Sequence, residues 1–200
     1  MSRKRICIVA TVSFVIKWFL KPHILLLKDK YDITLVTSGS GEELSGLLGV
    51  DVSFYSLQIE RKISIKNDTL TLFKLWSLFR KEKFDSVHSI MPKSGFLAML
   101  AARLVGIPLR FHTFTGQVWA NKKGLHRSFL KFFDKVLVMN ATRVLADSHS
   151  QRDFLIKNKI VKANKIVVLE EGSVAGVDVN RFQYCADARM KIRMQLKVSS

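Results

Sequence analysis

Short apolar runs alternate with segments of helical periodicity along most of the chain. The runs have the length of β-strands, and they cover residues 5–11, 32–37, 51–57, 85–90, 108–113, 143–146 and 166–169. Helical patterns lie between them, at residues 17–30, 42–48, 68–83, 94–105 and 125–139 and after Ser148. Because strand and helix alternate throughout, the pattern predicts an α/β protein with a doubly wound, mostly parallel, Rossmann-like sheet.

Two neighbouring predicted strands end in turns that carry polar or basic side chains. One strand stops at Met91 and Pro92, which Lys93 follows directly, and the next ends at His112 and Thr113. In doubly wound sheets, ligands bind beyond the carboxyl ends of the strands. We therefore expect both turns to line one crevice.

The turn at residues 92–95, with the sequence Pro-Lys-Ser-Gly, has the composition of an anion-binding site. The first N–H groups of a helix have no partner within the helix, and a lysine beside them adds positive charge. Ser94 and Gly95 would let a ligand approach the backbone closely. An exposed turn with a capping serine fits the same residues equally well. The segment is not a P-loop, since the pattern GxxxxGK[ST] is absent.

His112 lies at the end of the fifth predicted strand, within the sequence FHTFTG at residues 111–116. A neutral imidazole in this place can accept a hydroxyl proton or donate a hydrogen bond to a phosphate oxygen. A histidine bonded to a neighbouring carbonyl is the alternative. His88, one strand earlier, is either its partner or a structural residue. The two histidines lack the spacing of metal ligands, so no metal site is predicted.

Two further segments contain residue types found in catalytic or cofactor-binding sites, but their spacing and position do not fit such sites. Asp147, Ser148 and His149 are adjacent and cannot adopt triad geometry. Ser148 with Gln151 instead forms a capping box for the following helix. The segment Ser-Gly-Ser-Gly at residues 38–41 follows the second strand and lacks the dinucleotide-binding pattern GxGxxG, so no bound cofactor is predicted.

The chain is strongly basic, which favours phosphate-rich partners. Lys and Arg number 33 against 16 Asp and Glu, for a formal net charge of +17. Nucleic acid, an anionic lipid surface and a phosphorylated substrate all suit this charge. The sequence contains no helix-turn-helix, no RNA-binding aromatic signature and no contiguous basic recognition element, so no specific nucleic-acid binding is predicted.

The predicted helix at residues 125–139 combines a basic stripe with an aromatic one. The basic stripe consists of Lys123, Arg127, Lys131 and Lys135, and the apolar side of Leu125, Phe129, Phe132, Phe133 and Val136. Such a helix fits docking on an anionic bilayer, as does the aromatic segment around Trp18. The alternative for the helix is a core-facing aromatic side with a solvated basic side.

The cysteines and the amino terminus bear on the compartment. Cys7 and Cys185 are far apart and predict neither a disulfide nor a zinc site, in keeping with a reducing compartment. Residues 1–16 start basic and continue apolar, as in a signal peptide, but no small-residue cleavage site follows. A basic start that leads into a buried first strand explains the same residues, so we predict a cytoplasmic protein.

Taken in order, these motifs resemble the amino-terminal half of a GT-B glycosyltransferase of family 4. Enzymes of this kind build bacterial surface polysaccharides such as capsule or the O-antigen of lipopolysaccharide. The resemblance covers residues 5–182 and depends on the combination and order of its segments. These are residues 10–11, 22–23, 61–64 (RKIS), 85–89 (DSVHS), 92–95, 111–113, 146–148 and 172–182.

The resemblance implies transfer of a sugar from a nucleotide-sugar to an acceptor, often a lipid-diphosphate-linked saccharide, at the inner face of the plasma membrane. The nucleotide-sugar is a substrate, and neither metal nor cofactor is predicted. The amino-terminal domain mainly holds the acceptor. By position, His112 would be catalytic and lie near the reacting centre. The residues expected to bind acceptor or phosphate are Arg61, Lys93, Ser94, Gly95, Thr113, Thr115 and Gly116.

The second domain of the family, which holds most of the donor nucleotide, has no counterpart in the pattern. We expect residues 1–180 to form one domain, with Gly176 and Asp178 at the crossover, and residues 181–200 to be a linker or the start of that second domain. A fragment, a natural truncation or a separate chain that supplies the other half would explain this, and the chain alone is expected to show no transfer. The competing hypothesis is a non-catalytic basic module that binds anionic lipid or nucleic acid.

Overall fold

The computed structural model describes residues 3–50, 52–60, 63–180 and 182–198. Within these ranges all the predicted strands are confirmed, with small shifts at their ends. Their bounds are β1 Lys4–Val9, β2 Tyr31–Thr37, β3 Ser53–Ser56, β4 Ser86–Ile90, β5 Leu109–Phe114, β6 Arg143–Ala146 and β7 Ile166–Val168.

Helices connect the strands. Their bounds are α1 Ser13–Val15, α2 Lys21–Leu27, α3 Gly41–Leu48, α4 Ile65–Glu82, α5 Pro92–Val105, α6 Gly124–Asn140, α7 His149–Lys157 and α8 Ala186–Leu196. A π-helical turn, Ile16–Leu20, joins α1 to α2, so helical structure begins before the predicted start at residue 17. The sequence does not predict α8, because this helix lacks an apolar side to bury and has no buried residue.

The described strands form one seven-stranded parallel sheet in the order β3-β2-β1-β4-β5-β6-β7. Strands β2 and β3 follow in order on one side of β1, and strands β4 to β7 follow in order on its other side. The order reverses between β1 and β4, where Val9 is in register with Ser89. This reversal is the switch point at which doubly wound sheets bind ligands. The predicted fold class is confirmed.

Both faces of the sheet are covered by helices. Side chains alternate between the faces along each strand, so one strand can contribute to the packing on both faces. On one face, Cys7 and Val9 of β1 belong to the larger core, which they share with buried residues of α4, α5 and α6. On the other face, Ile8 belongs to a smaller core that includes Ile24 of α2 and Leu44 of α3. The continuous apolar sequence of β1 therefore follows from its central position.

Helix α5 packs between α4 and α6 and lies very close to the sheet. Its buried side includes Ala98 and Ala102, which are completely buried, and such small side chains permit a close approach. Gly106 takes φ of 84° and ends the helix, as the sequence predicts. At the other end, a Cβ built on Gly95 would lie 2.4 Å from Cε1 of His112. The first turn of α5 therefore rests directly on the His112 ring.

Replacing Gly95 by alanine should destabilise the fold. The new methyl group would also meet Nδ1 of His112 at 2.6 Å and Cδ1 of Leu137 at 2.8 Å. Overpacking of this kind destabilises the native state by about 1–3 kcal/mol. Urea unfolding followed by circular dichroism should show a lower midpoint at an unchanged m-value.

Gly46→Ala is the matched control. Gly46 lies within α3, is exposed, and has no atom within 4 Å of a built Cβ. Since alanine has the higher helix propensity, this variant should be more stable by up to about 1 kcal/mol. A midpoint for Gly95→Ala at or above the wild-type midpoint would contradict the close packing of α5 on His112.

Candidate functional site

A cavity of about 390 Å³ lies at the switch point of the sheet. Thr11 follows β1 and Met91 follows β4, so the two central strands meet the cavity at their carboxyl ends. Lys93 lines it from the first turn of α5, and Val118 from the loop between β5 and α6. The Lys93 turn and the loop that follows β5 therefore share one crevice.

The walls of the cavity are mainly apolar and aromatic. Phe96 of α5 and Phe133 of α6 line it, and their ring centroids lie 5.0 Å apart in an edge-to-face contact. Phe133 also contacts Phe129, with 4.9 Å between centroids, and Phe129 is half exposed. A path of rings in contact therefore leads from the cavity wall to the outer surface of α6. We call Phe96, Phe133 and Phe129 the aromatic path.

An ion pair lies in the wall of the cavity. Nζ of Lys93 is 2.6 Å from Oδ1 of Asp68 in the first turn of α4, and both side chains are largely buried. The other carboxylate oxygen of Asp68 accepts a hydrogen bond from the backbone N–H of Ser64 at 3.1 Å. Asp68 therefore fixes both the start of α4 and the position of the Lys93 ammonium. An ammonium in such a cavity is suited to binding a phosphate group.

A second acidic side chain, Asp134, lines the cavity from α6. Asp134 is buried, and its Oδ2 accepts a hydrogen bond from the indole N–H of Trp119 at 2.6 Å. Burial raises the pKa of Asp134 to about 6, against a smaller lowering by that hydrogen bond. Asp134 is not among the site residues predicted from the sequence, although it is the one acidic residue of α6 and stands among apolar positions.

The turn between β4 and α5 has an unusual backbone. Met91 adopts φ of 77° and ψ of 147°, a region in which glycine is usual. The buried hydroxyl of Ser94 donates to the carbonyl of Ile90 at 2.6 Å and accepts from the hydroxyl of Thr11 at 3.1 Å. The backbone N–H of Gly95 donates to the carbonyl of Met91 at 2.9 Å. Ser94 and Gly95 therefore shape the turn from within, while Lys93 lines the cavity.

His112 points into the interior from β5 and is completely buried. Its Nδ1 lies 2.9 Å from the hydroxyl of Ser89, and its ring meets Phe114 edge to face at 4.6 Å. Nε2 has no hydrogen-bond partner among the described residues. Burial, and to a smaller extent the charge of His88, lowers the pKa of His112 to about 3. The ring is therefore neutral and supports α5 from below, and its catalytic role stays a prediction.

His88 and Thr113 lie on the opposite face of the sheet. Nε2 of His88 is 2.8 Å from the Thr113 hydroxyl, and both residues line a smaller cavity of about 130 Å³ together with His23. Burial, followed by the charge of His23, lowers the pKa of His88 to about 4. His88 therefore pairs with Thr113 rather than with His112, and Thr113 is turned away from the Lys93 cavity.

Four other predicted site residues lie on exposed loops. Thr115 and Gly116 follow β5, and Gly116 has φ of 145°. Gly176, with φ of 67°, and Asp178 follow β7. Arg61 lies outside the described residues. The structure thus brings Lys93, among the predicted residues, into the wall of the larger cavity.

The loop after β7 is fixed to the end of β6. The backbone carbonyl and the side chain of Asp147 accept hydrogen bonds from the N–H groups of Ser173 and Val174, each at 2.7 Å. A Cβ on Gly172 would lie 2.6 Å from the same Asp147 carbonyl oxygen. Beside it, Ser148 caps α7 by accepting from the N–H of Gln151 at 3.2 Å, as the sequence predicts.

The aromatic side of α6 is divided between the cavity, which Phe133 lines, and the outer surface. Leu125 and Phe129 are 90% and 50% exposed. Arg127 and Lys131 instead lie over the Trp119 ring, 5.5 and 5.1 Å from its centroid. The alternative of a core-facing aromatic side with a solvated basic side therefore does not describe this helix as a whole. Phe133 lines the cavity, whereas cation–π contacts hold Arg127 and Lys131 against the domain.

Among the described helices, none combines the length and the apolarity that crossing a lipid bilayer demands. Likewise, in the part of the chain that the structure describes, no three His, Cys, Asp or Glu side chains gather as ligands of a metal ion. Of the residues that the structure describes, the charged ones that line the larger cavity are Lys93, Asp68 and Asp134.

The family model described as the glycosyl transferase 4-like domain matches residues 26–172. The chain belongs to this family. The match runs from α2 to the loop after β7 and includes Asp68, Lys93 and Asp134 of the larger cavity. The family that the sequence motifs suggest is thereby confirmed.

Two curated relatives of this glycosyl transferase 4-like domain carry specific names. Capsular polysaccharide biosynthesis glycosyltransferase CapM of Staphylococcus aureus is 31% identical over 183 residues, which are 92% of this chain and 47% of CapM. UDP-Gal:alpha-D-GlcNAc-diphosphoundecaprenol alpha-1,3-galactosyltransferase of Escherichia coli is 32% identical over 162 residues, which are 79% of this chain and 40% of that enzyme. The domain thus spans less than half the length of either relative.

Solved structures share the fold of the glycosyl transferase 4-like domain. A glycosyltransferase from Rickettsia africae has a TM-score of 0.68 at 18% identity, with 100% of this chain and 51% of that chain covered. A UDP-N-acetylglucosamine 2-epimerase from Rickettsia bellii has a TM-score of 0.67 at 21% identity, with 100% and 52% covered. At these identities the likeness establishes the fold.

Acid should destabilise this domain through His112 and His88. Their folded-state pKa values, about 3 and about 4, lie below the ordinary value of 6.5, so the unfolded chain binds protons that the folded chain does not. The free energy of unfolding should fall as the pH decreases below 6.5 and level off near the folded-state values. Each histidine contributes a slope of up to about 1.4 kcal/mol per pH unit, which urea unfolding at several pH values measures.

His112→Gln should lower the slope of the free energy of unfolding against pH by the contribution of this one histidine. His126→Gln is the control, since His126 is exposed on α6, and it should leave the slope unchanged. If His112→Gln keeps the wild-type slope, His112 takes up its proton in the folded protein as readily as in the unfolded chain.

Proposed function

We propose that this chain is the acceptor-binding half of a glycosyltransferase that moves a sugar from a nucleotide-sugar to a lipid-linked saccharide in surface polysaccharide synthesis. The observation that carries the proposal is the switch-point cavity, in which aromatic walls surround the ion pair of Lys93 with Asp68. The reaction class is supported by CapM and the E. coli enzyme, which are named as a capsular glycosyltransferase and a galactosyltransferase acting on a diphosphoundecaprenol-linked sugar.

An acceptor of this class combines an apolar chain, a diphosphate and a sugar, and the cavity suits the first two directly. The aromatic path is continuous from the wall to the surface of α6. A lipid chain placed along it gains about 25 cal/mol for each Å² of apolar surface removed from water. The ammonium of Lys93 meets the diphosphate, whose oxygens share or replace its contact with Asp68.

Other predicted residues take supporting roles in this proposal. Thr115 and Gly116 offer a hydroxyl and a backbone N–H beside the same edge of the sheet. Arg61 would add a positive charge. His112 lies beneath the turn that carries Lys93, near the proposed reacting centre. A direct catalytic contact requires the segment that covers His112 to move, because the ring is completely buried.

The donor is proposed to bind mainly in a second domain, reached after Gly176 and Asp178, or in a separate chain. The name of the E. coli relative specifies UDP-Gal for that enzyme, of which this chain spans 40%. For this chain the proposal extends to the class of nucleotide-sugars. Donor and acceptor held on facing surfaces react as if in one molecule, which is a large part of the catalytic effect in such transfers.

We further propose that the chain works peripherally at the anionic inner face of the plasma membrane. α6 exposes Leu125, Phe129 and Phe132, of which 90%, 50% and 59% are accessible, and the net charge is +17. Phe14 and Trp18 are exposed on the helical segment after β1. Apolar side chains at the headgroup boundary together with Lys and Arg are what interfacial binding requires. Docking of α6 would bring the aromatic path to the lipid.

Binding of a short lipid diphosphate tests the proposed site. The probe is decyl methyl diphosphate, and isothermal titration calorimetry measures Kd. Lys93→Gln should weaken binding about tenfold or more, because a hydrogen bond to a charged group contributes about 1.5–3 kcal/mol. Lys162→Gln is the control, since this exposed lysine precedes β7 at the amino edge of the sheet, and its Kd should equal the wild-type value.

Equal Kd values for wild type and Lys93→Gln would remove Lys93 from the proposed diphosphate site. Failure of the wild-type chain to bind the probe at about 1 mM would remove the acceptor site altogether.

Vesicle binding tests the proposed docking surface. Phe129→Ser combined with Phe132→Ser should lower the fraction that sediments with vesicles of phosphatidylglycerol and phosphatidylcholine, because two rings that insert contribute roughly 1.5–3 kcal/mol each when fully buried. Met139→Ser is the control, since Met139 is also exposed on α6 but in its last turn.

An unchanged bound fraction in the double variant would show that α6 is not the docking surface. Titration with a DNA duplex at the same salt concentration separates lipid binding from sequence-blind electrostatic binding, which weakens steeply as salt is added.

A further inference from the structure

Asp134 is an unexpected side chain in an apolar wall. It stands on the buried side of α6 with Leu137 and Val138, and it is 4% exposed. Burial of an ionised carboxylate is unfavourable unless a partner compensates it. The ion pairs found among the described residues do not include Asp134. Within the described part of the chain, no ion pair therefore compensates the charge of this carboxylate.

The hydrogen bonds of Asp134 leave one carboxylate oxygen for a ligand. Oδ2 accepts from the Trp119 indole at 2.6 Å, and no donor of the described residues bonds to Oδ1. The residue lines the larger cavity. An ionised carboxylate is an acceptor with about four lone-pair positions. Its cavity side therefore suits a ligand that donates hydrogen bonds, such as a pair of neighbouring hydroxyl groups.

Trp119 holds the carboxylate in one orientation. The Trp119 ring is completely buried and stacks on Phe154 with 5.3 Å between centroids. Arg127 and Lys131 lie over the same ring. Because these contacts fix the ring, the indole N–H is aimed at one place and Asp134 is preorganised before a ligand arrives.

Among the described residues, the neighbouring charged groups are engaged in other contacts, which favours a neutral, hydrogen-bonding ligand for Asp134. Lys93 on α5 is paired with Asp68 on α4, and Arg127 and Lys131 contact the Trp119 ring rather than the carboxylate. Burial raises the pKa of Asp134 to about 6, so the group is mainly ionised at neutral pH and is protonated in mild acid.

We infer that Asp134, positioned by Trp119, recognises the saccharide of the acceptor by accepting hydrogen bonds from its hydroxyl groups. Phe96 and Phe133 line the same cavity and supply aromatic faces for the apolar side of the sugar ring. The inference rests on the proposed function and assigns the sugar, while Lys93 is assigned the diphosphate. Trp119 is a positioning residue, since it acts through Asp134.

The test compares two probes of equal charge. One is decyl methyl diphosphate, and the other carries N-acetylglucosamine in place of the methyl group. The ratio of their Kd values isolates the sugar, because lipid and diphosphate are common to both. For wild type the glycosylated probe should bind about tenfold or more tightly than the methyl probe, as expected for a hydrogen bond to a charged group.

Three variants test which side chains cause the difference in Kd between the two probes. Asp134→Asn should bring the ratio close to one, and Trp119→Phe, which keeps an aromatic ring but removes the N–H, should lower it in part. Asp153→Asn removes an exposed carboxylate of α7 and should leave it unchanged. Asp134→Asn keeps an oxygen for the Trp119 N–H and removes a buried charge, so its urea midpoint at neutral pH should be at least that of wild type.

The pH dependence of the ratio distinguishes recognition from a structural role. In wild type the ratio should decrease as the pH falls through about 6, because Asp134 is protonated there, whereas Asp134→Asn should show no such decrease. An effect of pH on binding of the lipid or the diphosphate is common to both probes and cancels in the ratio.

A wild-type ratio near one, or an Asp134→Asn ratio equal to that of wild type, would overturn the inference. If decyl methyl diphosphate still binds through Lys93 in that case, the proposed acceptor site stands without it. If neither probe binds wild type, both the inference and the proposed function are overturned.

Discussion

The close packing of α5 on the central strands is the constraint on which the site depends. Gly95 leaves just enough room for the His112 ring, and Ser94 ties the turn to Ile90 and Thr11. The chain reaches this position through the positive φ of Met91. Without such close packing, the first turn of α5 would stand away from the sheet, and Lys93 would not line the cavity at the switch point.

The cavity combines a few charged side chains with aromatic walls, and these walls strengthen the interactions of the charges. Charges that are largely withheld from water interact more strongly than they would on an open surface. The Lys93–Asp68 pair and the single Asp134 carboxylate are therefore energetically significant, although the walls around them are mostly apolar. An amphiphilic ligand would match this combination better than a wholly polar or a wholly apolar one.

The fold could be predicted from local patterns, whereas most of the site could not. The apolar run of β1, the glycine at 106 and the serine at 148 each act within a few residues of themselves, so sequence alone locates them. Asp68, Lys93 and Asp134 belong to three helices, and only long-range packing makes them neighbours. The outward side of α6 depends on Trp119, a loop residue that attracts Arg127 and Lys131. In the sequence, either the aromatic stripe or the basic stripe of that helix could face the domain. The rotation of the helix about its axis could therefore not be inferred.

The attachment of the loop after β7 determines where the chain can pivot. Asp147 holds the backbone of Ser173 and Val174, and Gly172 is pressed against the same residue. A domain joined beyond this anchorage would swing about the residues near Gly176, close to the sheet, and not about the end of the strand. Because most atoms of such a domain would lie far from this pivot, a small torsional change there would displace them by a large distance. The orientation of such a domain relative to the cavity would then be governed by very few bonds.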